Sequence, residues 1–147
     1  MMLSERIKED MKSAMRAKDK VRLGAIRMIL SAFKQYEVDE QAPVTDEVAL
    51  KLLDKMLKQR RDSVAQYEQA GREDLAEKER AEMAVIQSYL PAPLSSEELE
   101  QLIDAAISET GAETVRDMGR VMNVLRPKIQ GRADMGQVGQ LVKQKLN

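Results

Sequence analysis

Residues 89–98, which read YLPAPLSSEE, decide how this chain is divided. Neither Pro91 nor Pro93 can continue a helix, because proline lacks an amide proton and its ring clashes with the preceding turn. Residues 95–98 then have the form of a capping box, in which a serine and a glutamate satisfy free amide groups at the start of a helix. The stretch therefore predicts that one helical region ends near Leu90 and that another begins near Ser96.

On both sides of this break, apolar residues recur at intervals of three and four, and no stretch alternates as a strand would. The sequence predicts an all-α fold with an N-terminal bundle of about four helices and a smaller three-helix C-terminal domain. We place the bundle at residues 1–90, a Pro-rich linker at 91–95 and the C-terminal domain at 96–147. The first six predicted helices cover residues 4–17, 20–38, 45–71, 73–90, 96–111 and 114–126. Ser4 is the predicted cap of the first helix, and Pro127 limits the sixth. A seventh helix follows a turn and cap at residues 131–134.

Two absences restrict the chemistry that the chain can perform. Among its 147 residues there is no cysteine and no histidine. A thiolate nucleophile, a disulfide and a cysteine-based metal site are thereby excluded, and the commonest general base and metal ligand is missing. We predict a protein without catalytic residues, metal or cofactor.

The overall charge and hydropathy give a second set of expectations. The 24 basic and 25 acidic residues nearly balance, which excludes a uniformly basic nucleic-acid binder but allows a basic patch. No apolar run approaches the length of a membrane span, and residues 1–6 do not lead into a signal-peptide core. These features predict a cytoplasmic protein that does not associate with membranes, and we expect a monomer.

Four charged residues fall on the apolar faces of their predicted helices. They are Arg22 in the second helix, Arg60 in the third, and Glu79 and Glu82 in the fourth. Because an isolated buried charge costs several kcal/mol, such groups are tolerated when they are paired. We expect Arg22 and Arg60 to meet Glu79 or Glu82 between the helices, either as a structural ion network or as a polar pocket.

Two basic runs are candidates for contact with phosphates. Residues 51–61 carry five bases against one acid, but an antiparallel hairpin with the acidic residues 62–82 would neutralise much of that charge. Residues 114–147 carry seven bases against two acids and include a turn, Gly131-Arg132, before a helix N-terminus, where amide groups favour a phosphate. A solvated helix surface is the alternative. The candidate RNA-binding residues are Arg116, Arg120, Lys128 and Arg132, with Lys55, Lys58 and Arg61 as a second patch.

The order and spacing of several segments resemble the YqeY family, also known as GatB/YqeY-domain proteins. The segments are Arg22-Leu23 with Arg27, residues 59–63 with Tyr67, residues 71–76, Glu79 with Glu82, residues 89–91, residues 117–122 and residues 131–134. That family is similar to the C-terminal tail of the GatB subunit of tRNA-dependent amidotransferases.

The resemblance implies a non-catalytic accessory module that binds tRNA or another structured RNA. The alternative is a helical module that binds a protein of the aminoacylation or amidation machinery, such as a synthetase or an amidotransferase. A more remote alternative is the carbon–nitrogen ligase activity, with glutamine as amide donor, that belongs to the amidotransferase, although the chain shows no residues for that reaction. RNA contacts would use shape and phosphates, because aromatic residues for stacking on bases are scarce.

Overall fold

The computed structural model describes residues 1–147 and contains seven α-helices and no β-strand, which confirms the all-α prediction. No helix is both long enough and apolar enough to span a bilayer. The helices are α1 (Leu3–Ala17), α2 (Lys20–Glu40), α3 (Asp46–Gln69), α4 (Glu73–Gln87), α5 (Ser96–Thr110), α6 (Met118–Ile129) and α7 (Met135–Leu146), and a short 3₁₀ turn, Val115–Asp117, precedes α6.

The chain divides into two compact units, which we call unit 1 (residues 1–90) and unit 2 (residues 91–147). Each unit has its own apolar core, as expected when helices bury one stripe of side chains against each other. In unit 1, α3 and α4 form the most extensive helix pair, and fully buried side chains come from all four helices, among them Ile7, Ile29, Leu53 and Ile86. In unit 2, the core is formed by residues of α5, α6 and α7, including Ile103, Val121, Leu125, Val138 and Val142.

Three of the predicted helix starts are confirmed by their caps. The side chains of Asp19, Thr45 and Ser95 each accept a hydrogen bond from the amide three residues further on, at 3.1, 3.3 and 3.1 Å. At Ser95 the capping box is complete, because Glu98 accepts from the Ser95 amide at 3.2 Å. These short polar side chains satisfy amides that the first turn of a helix leaves free.

Two local predictions were wrong, for reasons that lie outside the local sequence. Ser4 is not the cap of α1: the helix begins at Leu3, whose amide donates to the Asp46 carboxylate of α3 at 2.8 Å. Pro127 does not end α6, which continues to Ile129. Ile129 is fully buried, so the apolar contact of the last turn outweighs the hydrogen bond that Pro127 removes.

Candidate nucleic-acid interface

Arg60 lies at the centre of a group of charges between α3 and α4. Its Nε is 3.5 Å from Glu82 Oε2 and 3.8 Å from Glu79 Oε2, and its Nη2 contacts Met28 Sδ at 3.5 Å. The side chains of Arg60, Glu82 and Glu79 are only 15%, 13% and 21% exposed. Arg60 Nε and Glu82 Oε2 have no hydrogen-bond partner, so the charges attract one another without ideal hydrogen-bond geometry. We call these three residues the Arg60 cluster.

Arg22 is not part of the Arg60 cluster. Its Nη2 is 3.8 Å from Asp10 Oδ2 on α1, and the Tyr89 hydroxyl donates to the same oxygen at 2.6 Å. The Arg6 guanidinium lies 5.5 Å from the centre of the Tyr89 ring. Burial and the hydrogen bond to Asp10 raise the pKa of Tyr89 to about 12. The expected contact of Arg22 with Glu79 or Glu82 is thus replaced by a second polar group, because this part of α2 faces α1.

The candidate patch on α3 is not neutralised by α4 in the way that the charge counts suggested. Five of the seven acids of residues 62–82 pair with arginines of their own segment or with Arg60: Glu79 and Glu82 lie beside Arg60, Asp74 pairs with Arg72, and Arg80 binds Glu73 at 2.6 Å and also binds Glu68. Lys55 and Lys58 are exposed and Arg61 is half-buried. Lys55 also borders a groove of about 300 Å³ between α2 and α3.

In unit 2, the acidic helix α5 balances part of the basic excess of α6 and α7. Lys145 lies 2.9 Å from Asp104 and 3.2 Å from Glu100, and Lys128 lies 3.9 Å from Glu109. Lys145 therefore contributes less free positive charge to the surface than the sequence suggested, whereas Lys128 is exposed and makes no hydrogen bond to Glu109.

Arg132 and the turn around it hold unit 2 together. Arg132 Nε donates to the Ala92 carbonyl at 3.1 Å, and the Arg132 carbonyl accepts from the Leu94 amide at 2.8 Å. At the N-terminus of α7, the Asp134 carboxylate accepts from the Gly136 amide at 3.0 Å. Because a carboxylate already occupies this helix end, the geometry does not favour a phosphate there.

The outer face of α6 carries the most favourable arrangement of cations. Gly119 and Asn123 lie along it, with Arg120 on one side and Arg126 on the other, and all four are exposed. Arg116, in the preceding 3₁₀ turn, is exposed and forms none of the ion pairs. A Cβ at Gly119 would meet no atom within 4 Å, so the backbone there is open to close approach. We call these five residues the α6 strip.

The hydrogen bonds around the α6 strip hold its side chains in place. Arg126 Nη1 donates to Asn123 Oδ1 at 3.3 Å. Arg120 donates to Asp117 Oδ1 at 2.6 Å and to the Thr110 carbonyl at 3.2 Å, and its side chain remains 60% exposed. The pKa of Asp117 falls to about 2, because the Glu113 amide, Arg120 and the Thr114 amide all donate to its carboxylate. Asp117 therefore stays ionised and orients Arg120 at neutral pH.

The sequence-based candidates omitted three members of the α6 strip: Gly119, Asn123 and Arg126. Their spacing could nevertheless be read from the sequence, since residues 119, 123 and 126 follow intervals of four and three and share one side of α6, and Arg116 precedes them by three residues. Gly139, by contrast, faces the interior of unit 2, where an added Cβ would lie 3.5 Å from Met118 Cε.

Comparison with known proteins gives one family match and several relatives. The model of the family described as Yqey-like protein matches residues 4–146. The relatives share the name Altered inheritance of mitochondria protein 41, mitochondrial. The protein of Lachancea thermotolerans is 41% identical over 69% of this chain and 54% of its own length. For Saccharomyces cerevisiae the identity is 36% over 75% and 63% of the respective lengths, and for Pyrenophora tritici-repentis it is 34% over 87% and 71%. The chain thus spans little more than half of the first of these relatives.

The names of these relatives contradict one expectation from the sequence. We predicted a cytoplasmic protein, whereas the relatives are named as mitochondrial proteins, so that prediction was wrong. It rested on the lack of a long apolar segment, a property that does not distinguish the cytosol from the interior of an organelle.

Proposed function

Since the chain belongs to the family of YqeY-like proteins, we propose that it is an accessory module that binds tRNA or another structured RNA through the α6 strip. The observation that carries the proposal is the arrangement of Arg116, Arg120 and Arg126 around an open backbone at Gly119. Arginine suits this role because its planar guanidinium binds phosphate oxygens with two parallel hydrogen bonds.

The surroundings of the strip also support contact with a phosphate backbone. Asn123 adds a neutral side chain with both donor and acceptor groups, and the carboxylate of Asp117, which lies beside Arg120, is already bound to Arg120 and to two amides. No aromatic residue lies in unit 2, so stacking on splayed bases is not available there. The proposed binding therefore depends on phosphate contacts and RNA shape and has little dependence on base sequence.

The test compares two variants that lose the same charge from different sides of unit 2. Arg116→Ala/Arg126→Ala removes two cations from the α6 strip, and Lys128→Ala/Lys143→Ala removes two exposed cations that lie outside it. Labelled bulk tRNA is titrated with each protein at about 50 and 200 mM salt, because release of counterions makes phosphate-driven binding steeply dependent on salt.

We expect the wild-type protein to bind at low salt and to lose affinity as salt is added. The α6 strip variant should bind more weakly and should show a salt dependence shallower by about one unit per lost phosphate contact. The matched variant should retain most of the affinity. Equal losses in the two variants would show that only net charge matters, and no binding by the wild-type protein at low salt would remove the proposal.

A further inference from the structure

One face of α2 is exposed along the whole helix and carries no charge. It consists of Val21, Gly24, Met28, Ser31, Gln35 and Val38, which we call the α2 seam. Val21, Met28 and Val38 are 55%, 38% and 60% exposed, which is high for apolar side chains. The intervals alternate between three and four, as in the contact seam of a coiled coil, and span about 26 Å at 1.5 Å per residue.

A row of cations follows one edge of the α2 seam. Lys20, Arg27 and Lys34 recur every seven residues, and all three are exposed without an ion pair; we call them the basic row. Between Lys20 and Tyr36 the helix contains no acid. On the opposite edge, the groove between α2 and α3 is lined by Lys55 and also by the acids Asp39 and Glu40 at the end of α2. The neutral seam is therefore bordered by unopposed cations along one edge only, that of the basic row.

We propose that the α2 seam is a docking site for an amphipathic helix of a partner protein that carries Asp or Glu at seven-residue spacing along one edge. Two helices that pack at a shallow angle keep a seven-residue register, so such acids would face the basic row in successive turns. Gly24 permits close approach, since no atom lies within 4 Å of the position its Cβ would take. The docking lies in unit 1 and is independent of the α6 strip.

Two other occupants fit these features less well. A second copy of the chain, docked antiparallel about a two-fold axis, would bring the basic row of one copy against that of the other. A membrane surface would demand bulky apolar anchors, whereas the α2 seam contains Gly24, Ser31 and Gln35 between its apolar residues.

The test uses two labelled synthetic peptides, each a 21-residue Ala-rich helix with a Leu/Ala seam. One carries Glu and the other Lys at seven-residue spacing along one edge. Fluorescence anisotropy is measured with the full-length wild-type protein, with Arg27→Glu/Lys34→Glu, and with Lys128→Glu/Lys143→Glu as the variant of matched charge. Gly24→Leu tests close approach, and because the site is open and leucine favours helices, the fold should be retained.

We expect the Glu peptide to bind the wild-type and matched-charge proteins with similar affinity. Arg27→Glu/Lys34→Glu should lose at least tenfold in affinity for the Glu peptide and gain affinity for the Lys peptide, and Gly24→Leu should lose at least tenfold for the Glu peptide. The proposal is overturned if the Glu peptide fails to bind or binds the reversed variant equally well. The proposal is also overturned if anionic vesicles or tRNA bind in place of the Glu peptide and their binding depends on Arg27 and Lys34 in the same way.

Discussion

Replacing Arg60 with methionine should destabilise unit 1 by about 3 kcal/mol. At 3.5 and 3.8 Å from the two carboxylates, Arg60 Nε attracts each by about 4–5 kcal/mol at an effective dielectric constant of 20, before the cost of desolvation is subtracted. Removal of one partner from a buried pair typically costs about 3–5 kcal/mol, because the remaining charge loses its compensation. We take the lower end, since side-chain exposures of 13–21% admit some screening by water.

The chain offers a selective assay for this change. All three tyrosines lie in unit 1 and there is no tryptophan, so tyrosine fluorescence during urea unfolding reports on unit 1 alone. Lys58→Met, at an exposed position of the same helix, serves as the control and should change the free energy of unfolding by less than about 0.5 kcal/mol.

A second variant identifies the physical cause of the loss. Arg60→Met/Glu82→Met removes both members of the closest pair, and it should recover at least half of the loss, because apolar side chains of similar size often replace a buried ion pair at little cost. If the double variant is as unstable as the sum of the two single variants, or if Arg60→Met costs less than about 1 kcal/mol, the reasoning fails.

Three further outcomes are expected. Gly24→Ala should raise the free energy of unfolding by about 0.5–1 kcal/mol in urea titrations, since alanine favours a helix over glycine and its methyl group meets open space; a loss of stability would contradict this. The pKa of Asp117 is lowered from 3.8 to about 2, so its ionised carboxylate stabilises the folded protein above pH 4, and this contribution is lost as the pH falls toward 2. The thermal midpoint of the wild-type protein should drop across that window more than that of Asp117→Asn. In ultraviolet titrations, the wild-type curve minus that of Tyr89→Phe should show a tyrosinate step near pH 12 and none near pH 10.

The helix boundaries that could be predicted are those set by neighbouring residues. Thr45 and Ser95 cap their own helices, and Gly111 ends α5 with φ +66°, a conformation that favours glycine. The start of α1 could be predicted only in part: Glu5 accepts a hydrogen bond from the amide of the N-cap residue Met2, but the Leu3 amide donates to Asp46, 43 residues further along the chain. Such contacts depend on how the helices pack against one another, which cannot be predicted from the periodicity of apolar residues alone.

The candidate site residues also differ in how far the sequence alone predicted their partners. The unusual placement of Arg60 on an apolar face identified a residue with charged partners, and the helix wheel indicated the face on which Glu79 and Glu82 lie. The same reasoning placed Arg22 with them, although the structure gives it Asp10. Lys128 and Arg132 stood out in the sequence because of their charge, but only the three-dimensional arrangement shows that Arg132 donates a hydrogen bond to the Ala92 carbonyl and that Lys128 lies 3.9 Å from Glu109.

The hydrogen bond between Tyr89 and Asp10 has a consequence for synthesis of the chain on the ribosome. It joins residues 79 positions apart and so links the first helix of unit 1 to its last residues. The neighbouring helices α1 and α2 can pair early, because the loop between them is short and its closure costs little entropy. The Asp10 carboxylate, however, receives the Tyr89 hydroxyl only after residue 89 has emerged from the exit tunnel. A nascent chain arrested earlier should therefore hold a helical hairpin that proteases still cleave, and protection of unit 1 should arise abruptly once residues 89–90 are released.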